Sequence, residues 1–209
     1  MKIGVYVGSF DPFHKGHENI IYHLLNKKYV DKVVIIPTLS YWDKNIKTSL
    51  EDRINMIKNI EDSNIEVNTS LNAYEYTYEI MDELKRQHPE DNLYLIIGAD
   101  SLINFNKWKK VDNILENNIL LIPRNNIDTN KYINEFKEKE KFIVVSDFYQ
   151  DVSSTMIREK LLSKDYTNLD KYIDKKILNY IIINNLYTSK WNIYDKIKIY
   201  ERRYRKWKK

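Results

Sequence analysis

Gly8-Ser9-Phe10-Asp11-Pro12-Phe13-His14-Lys15-Gly16-His17 decides the fold. It follows residues 2–7, a run rich in β-branched side chains that reads as a buried strand. It precedes residues 16–27, where Ile20, Ile21, Leu24 and Leu25 recur at helical spacing. A strand, a glycine-led turn and a helix in that order build an anion site, because the helix start offers free N–H groups and about half a positive charge. Gly8 is expected to let the backbone turn tightly and to leave room for a ligand, with Ser9 and Phe10 completing the turn. His14 and His17 stand three apart, so both fall on one face if the turn is helical. Two imidazoles beside a phosphate site can stabilise charge that develops on phosphorus during displacement. The same pair could ligate a metal. Only His23 and His88 remain elsewhere, so a third ligand would have to be Asp or Glu. On these residues alone phosphate chemistry and metal ligation both stay open; the anion site favours the former, and no residue is assigned to a metal.

Outward from this stretch, strand-like apolar runs at 32–37, 65–67, 93–97, 119–123 and 142–145 alternate with helical patterns at 49–59, 76–87, 111–115, 131–141, 154–162 and 174–184. Ser49 is the expected N-cap of its helix, with Asp52 at N3. Such alternation predicts an α/β fold, a Rossmann-like parallel sheet with helices on both faces. Gly8 and Gly98 end two of the strands, which points to ligand approach at the carboxyl edge of the sheet.

Two further segments carry candidate chemistry. In Val152-Ser153-Ser154-Thr155-Met156-Ile157-Arg158, Ser153 or Ser154 is a natural N-cap and Thr155 lies in the first turn. Hydroxyls, free N–H groups and a nearby Arg158 make either a phosphate cradle or simply a well-capped helix with a solvated arginine. In Ile96-Ile97-Gly98-Ala99-Asp100-Ser101, followed by Lys107-Trp108, an acid just past a strand end is placed to accept hydrogen bonds from a ribose, or to cap a helix. Trp108 could stack on an aromatic ring or fill the core.

The bulk composition narrows the class. The chain has 209 residues, enough for one domain and a small appendage. It has no cysteine, which removes disulfides, thiolate ligands and thiol nucleophiles and suits a reducing compartment. No run approaches the roughly 20 apolar residues of a membrane span, and the N-terminus has no signal-peptide pattern. A cytoplasmic protein is the expectation. Between Lys190 and Lys209 there are nine Lys/Arg against two Asp/Glu, whereas the remainder is slightly acidic. The division is therefore 1–189 as the domain and 190–209 as a basic tail. Trp191, Tyr194, Tyr200, Tyr204 and Trp207 interleave with the tail's cations, a pattern that can bind single strands. Ile193, Ile197 and Tyr200 or Tyr204 also fall near helical spacing, so an amphipathic terminal helix is expected instead and no nucleic-acid partner. If the chain associates, a two-fold homodimer is the expected form.

Taken together, the first segment resembles the GxFDPxHxGH signature, and the second the SSTxIR signature, of the HxGH nucleotidyltransferase superfamily. Within it the chain is similar to the bacterial nicotinate mononucleotide adenylyltransferases. The resemblance runs through Tyr76-Thr77, Ile97-Gly98-Ala99-Asp100-Ser101 with Lys107-Trp108, Ile122-Pro123-Arg124 and Leu186-Tyr187. It implies in-line attack of an acceptor phosphate on the α-phosphate of ATP, with Mg²⁺ and no covalent intermediate. It implies that His14 and His17 bind the reacting phosphates and that Ser154, Thr155 and Arg158 hold the β- and γ-phosphates. Gly8, Ser9, Phe10, Gly98 and Arg124 would complete the ATP site, with Asp100 on the ribose. Thr77 and Trp108 would line the ring of nicotinate mononucleotide, with Lys44 near the phosphates. Phosphopantetheine or nicotinamide mononucleotide is the alternative acceptor. The chain departs from that pattern at Pro37-Thr38-Leu39-Ser40-Tyr41-Trp42-Asp43-Lys44, where a Pro-Pro-His-Lys run is usual, and at Glu75 and Lys109.

Overall fold

The computed structural model describes residues 1–39, 47–124, 127–149 and 152–188. Six strands form one parallel sheet: β1 (Lys2–Gly8), β2 (Lys32–Pro37), β3 (Ile65–Val67), β4 (Asn92–Gly98), β5 (Asn118–Ile122) and β6 (Phe142–Val144). Their spatial order is β3-β2-β1-β4-β5-β6. The chain winds one way from β1 to β3, then returns to lay β4 on the free side of β1. That reversal puts a crevice at the carboxyl ends of β1 and β4, where open α/β sheets receive ligands.

Period-two side-chain alternation explains why both faces are covered. On β1, Ile3 and Val5 enter one core while Tyr6 enters the other. On β4, Leu93, Leu95 and Ile97 share the first core and Ile96 the second. The second core is closed by α1 (Lys15–Asn26), α2 (Leu50–Ile57), α7 (Ser154–Leu162) and α8 (Lys175–Ile183), which contribute Ile21 and Leu24, Met56 and Ile57, Ile157 and Leu161, and Ile177 and Ile181. The first is closed by α3 (Thr77–Gln87), α4 (Ala99–Leu102), α5 (Val111–Leu115) and α6 (Thr129–Ile133). The doubly covered sheet foreseen from the alternation of patterns is therefore present.

Local chemistry sets the helix ends. Ser49 accepts from the Asp52 amide at 3.0 Å, the N-cap read from the sequence, and its hydroxyl donates to the Asp52 carboxylate at 2.7 Å. Ser153, rather than Ser154, caps α7 by accepting from the Met156 amide. The single helix expected over 131–141 is not formed. Asp128 caps the short α6, which ends at Ile133 with Asn134 as its C-cap, and the chain turns before a 3₁₀ turn at Lys139–Lys141. The reason is tertiary: Phe136 turns inward and packs 5.6 Å from Phe105 and 5.3 Å from Phe142, whereas continuing the charged run as a helix offers no apolar stripe. The expected boundary at 189/190 and the basic tail lie outside the described residues. No helix among the described residues is long and apolar enough to cross a membrane.

Candidate active site

The segment between β1 and α1 lies at the mouth of the crevice. Its turn is made by Phe10, whose φ of 50° is in the left-handed region, and no glycine in the chain has positive φ. The conformational role expected of Gly8 therefore passes to Phe10. Gly8 matters for space: a Cβ there would stand 3.0 Å from the Phe10 ring.

Two arginines and a serine hydroxyl fasten the loop by its own carbonyls, since buried backbone acceptors require donors. Arg53, only 1% exposed, donates to Ser9 O at 2.6 Å and to Thr38 O at 2.8 Å. Ser154 Oγ donates to Pro12 O at 3.0 Å, and Arg158 to Asp11 O at 2.7 Å. Arg158 also donates to Thr155 Oγ1 at 3.1 Å. The residues expected to cradle phosphates thus also tie the N-terminus of α7 to the loop. The Asp11 carboxylate, 3% exposed, accepts from Lys47 N, Thr48 Oγ1 and Tyr187 Oη at 2.9, 2.7 and 2.6 Å.

His14 is the N-cap residue of α1 and His17 its third residue, so the two imidazoles meet on one face as the spacing foretold. Their rings stack with centroids 3.7 Å apart at 20°. The His14 amide donates to His17 Nδ1 at 3.3 Å. The His17 ring is boxed by Phe13, Phe10 and Tyr6 at 5.4, 5.1 and 6.0 Å between centroids. His14 is 2% exposed, and its Nδ1 has no hydrogen-bond partner among the described residues. Burial, reinforced by the Arg124 guanidinium, pushes its pKa down to about 3. His14 is therefore neutral near pH 7 and can donate a hydrogen bond without carrying a charge. The buried Tyr6 phenol is pushed above its usual range, by burial first.

Asp100 follows the end of β4 in the first turn of α4, and Gly98 is that helix's N-cap residue. Asp100 pairs with Arg124 Nε at 3.5 Å, just beyond the end of β5. A Cβ on Gly98 would run into Asp100 Oδ1, so the glycine is required by the close approach of that carboxylate. Arg124 is near enough to lower both the Tyr6 and His14 pKa values. Gly8, Ser9, Phe10, His14, His17, Gly98, Asp100, Arg124, Ser154, Thr155 and Arg158 are thus brought to one edge of the sheet.

Thr77 and Trp108 belong to the face of the sheet that α3 covers. Thr77 is the first residue of α3, and Trp108 follows a 3₁₀ turn and packs 5.0 Å from Phe105. Lys109 Nζ lies 3.9 Å above the Tyr76 ring and Lys110 Nζ 4.6 Å above Tyr78, joining the two segments. Lys44 lies outside the described residues. Sequence reasoning did not foresee Arg53, Thr48 or the Tyr187 hydroxyl as parts of the loop's support. Arg53 left a signal: with Met56 and Ile57 it holds the i, i+3 and i+4 positions of an inward face, where a cation needs acceptors.

The chain matches the cytidylyltransferase-like family model over residues 5–160. It is 34% identical over 202 residues to a protein of Clostridium tetani named a probable nicotinate-nucleotide adenylyltransferase, covering 89% of this chain and 98% of that one. It is 33% identical over 186 residues to a protein of the same name from Fusobacterium nucleatum, covering 85% and 95%. Among solved structures, the Plasmodium falciparum nicotinic acid mononucleotide adenylyltransferase complexed with NaAD has the same fold. Its TM-score is 0.75 at 24% identity, over 89% of this chain and 97% of that one.

Proposed function

We propose, from the premise that the chain belongs to the cytidylyltransferase-like family and within it to the nicotinate-nucleotide adenylyltransferases, that it moves the adenylyl group of ATP onto nicotinate mononucleotide. The products are nicotinate adenine dinucleotide and pyrophosphate, a step of NAD biosynthesis. The observation that carries the reaction type is the stacked His14–His17 pair at the N-terminus of α1, in the crevice between β1 and β4.

In this reading an acceptor phosphate oxygen attacks the α-phosphorus of ATP. A new phosphorus–oxygen bond forms as the bond to the β-phosphate oxygen breaks, and pyrophosphate leaves with the electron pair. Negative charge grows on the α-phosphoryl oxygens and on the leaving group. His17 and neutral His14 donate to those oxygens, an arrangement that is most favourable when the charge is greatest. Amides at the start of α1 add positive potential. Thr155 and Arg158 at the start of α7 receive the β- and γ-phosphates, and Asp100 accepts from the ribose hydroxyls.

Mg²⁺ accompanies ATP in this reading as part of the substrate. Among the described residues no group of three or more His, Asp or Glu side chains could hold a metal. Asp11 already accepts three hydrogen bonds and Asp100 faces Arg124. A resident metal cage does not fit these residues, and no step is assigned to the ion. Such an activity, in a chain without cysteine, goes with a cytoplasmic setting.

An acceptor panel tests the proposal. Purified protein with Mg·ATP is given nicotinate mononucleotide, nicotinamide mononucleotide or phosphopantetheine, and pyrophosphate release is followed. Preferential turnover of nicotinate mononucleotide is expected. Preference for another acceptor overturns the acceptor assignment, and silence with all three overturns the activity.

A further inference from the structure

Three chain-distant groups converge on one buried carboxylate. Thr48 Oγ1 and Tyr187 Oη donate to Asp11 Oδ1 at 2.7 and 2.6 Å, and the Lys47 amide donates to Oδ2 at 2.9 Å. Tyr187 is 176 residues away in sequence and only 4% exposed. Its backbone φ is 58°, a left-handed conformation that a residue with a side chain adopts only against a steric penalty. A tyrosine filling a core by its ring alone has no need to place its hydroxyl against a carboxylate. Burial and the neighbouring Asp11 charge push the phenol well above its usual range, so it remains a donor at every physiological pH.

Asp11 sits in the middle of the loop between β1 and α1. It lies between Phe10, whose φ is 50°, and Pro12, and three residues before His14. The loop carbonyls of Ser9, Asp11 and Pro12 are held by Arg53, Arg158 and Ser154. Those bonds come from α2 and α7. The carboxylate bonds come from the segment before α2 and from the segment after α8, so the loop is held both by its backbone carbonyls and by the Asp11 side chain.

We propose that Tyr187 is a positioning residue for the reaction: through Asp11, with Thr48 as its partner, it sets the loop that presents His14 and His17 to the triphosphate. The inference rests on the adenylyl-transfer reading for its kinetic readout, but on the loop geometry alone for its binding readout. Reacting groups must be held within fractions of an ångström of the productive geometry, so loosening the clamp lowers turnover without removing any group that touches substrate.

The test compares wild type, Tyr187→Phe, Asp11→Asn and the double variant. Tyr187→Phe keeps the ring and deletes only the hydroxyl. Two measurements are made on folded protein well below the denaturation midpoint: affinity for a non-hydrolysable α,β-methylene ATP analogue, and kcat with nicotinate mononucleotide. Tyr187→Phe should lower kcat by about tenfold or more and weaken analogue binding by a smaller factor. The same change on the Asp11→Asn background should have at most about a third of that effect, because coupled residues are not additive. Tyr187→Phe kinetics within twofold of wild type, or full additivity with Asp11→Asn, overturn the proposal. A role in stability alone changes the denaturation midpoint and leaves kcat of the folded protein where it was, which also overturns it. If Tyr187→Phe does not fold, Thr48→Val removes the other donor to the same oxygen and must lower kcat in the same direction. If wild type fails to use nicotinate mononucleotide the reading of the reaction falls, and the analogue affinities, with the same non-additivity, still decide the clamp.

Discussion

His14 should make the protein measurably acid-sensitive between pH 7 and pH 5. In the native state its pKa is held down to about 3, by burial first and then by Arg124, whereas in the unfolded chain it returns to 6.5. Between these values the unfolded state binds a proton that the native state refuses. Stability therefore rises with pH through this window, is fully retained above 6.5, and is lost progressively as pH falls toward 3. Between pH 7 and pH 5 the loss assigned to this one group is about 2 kcal/mol. Urea denaturation of wild type and His14→Asn at the two pH values isolates it. The variant starts less stable at pH 7 because packing is lost, but its further decline to pH 5 should be smaller than that of wild type by about 2 kcal/mol. Other titrating groups are common to both proteins and cancel in the difference. Equal declines in the two proteins, or a His14 ring resonance in folded wild type that titrates between pH 6 and 7, would refute the reasoning. They would also remove the argument that His14 serves as a neutral donor.

Other perturbations separate support from contact. Arg53→Met keeps the length of the buried side chain but strands the Ser9 and Thr38 carbonyls. It should cost about 2–4 kcal/mol of stability by urea denaturation. Gly98→Ala drives a methyl into Asp100 Oδ1 and should raise the Michaelis constant for ATP by about tenfold in steady-state assays, at little cost in expression. Asp100→Ala should raise the same constant, and an unaltered value would remove Asp100 from the ribose. Arg158→Ala, which loses its bond to Asp11 O and the proposed phosphate contact, should lower both ATP affinity in direct titration and turnover.

Much of this architecture was legible because local and global preferences agree. The strand–turn–helix around Gly8 and the alternation of apolar runs led to the parallel sheet, and Ser49–Asp52 marked a helix start that packing then preserved. The His14–His17 face followed from helical spacing alone. Where tertiary packing overrides local pattern, the sequence said less. The charged run over 131–141 reads as helix, yet Phe136 is drawn into an aromatic cluster that the run itself does not reveal. Gly8 looks like the turning residue, while the left-handed conformation falls to Phe10 because Arg53, Ser154 and Arg158 hold the neighbouring carbonyls. Tyr187 and Thr48 meet Asp11 only after folding brings together residues 11, 48 and 187, and no periodicity encodes that. Lys109 stands out in the sequence only as a departure from the family pattern after Trp108, and nothing local reveals that it and Lys110 cover the Tyr76 and Tyr78 rings in the fold.

The most direct measurement follows the phosphorus atoms in wild type and His17→Ala together. Wild type is supplied with nicotinate mononucleotide and with ATP labelled at the α- or the γ-phosphate. The α-label should appear in nicotinate adenine dinucleotide, the γ-label in pyrophosphate, and the two products in equal amounts. His17→Ala should lose more than about tenfold in turnover, roughly 1.4 kcal/mol of transition-state stabilisation, while its ATP affinity changes far less. An α-label that never enters a dinucleotide, or a His17→Ala variant that turns over like wild type, would contradict the account at its centre.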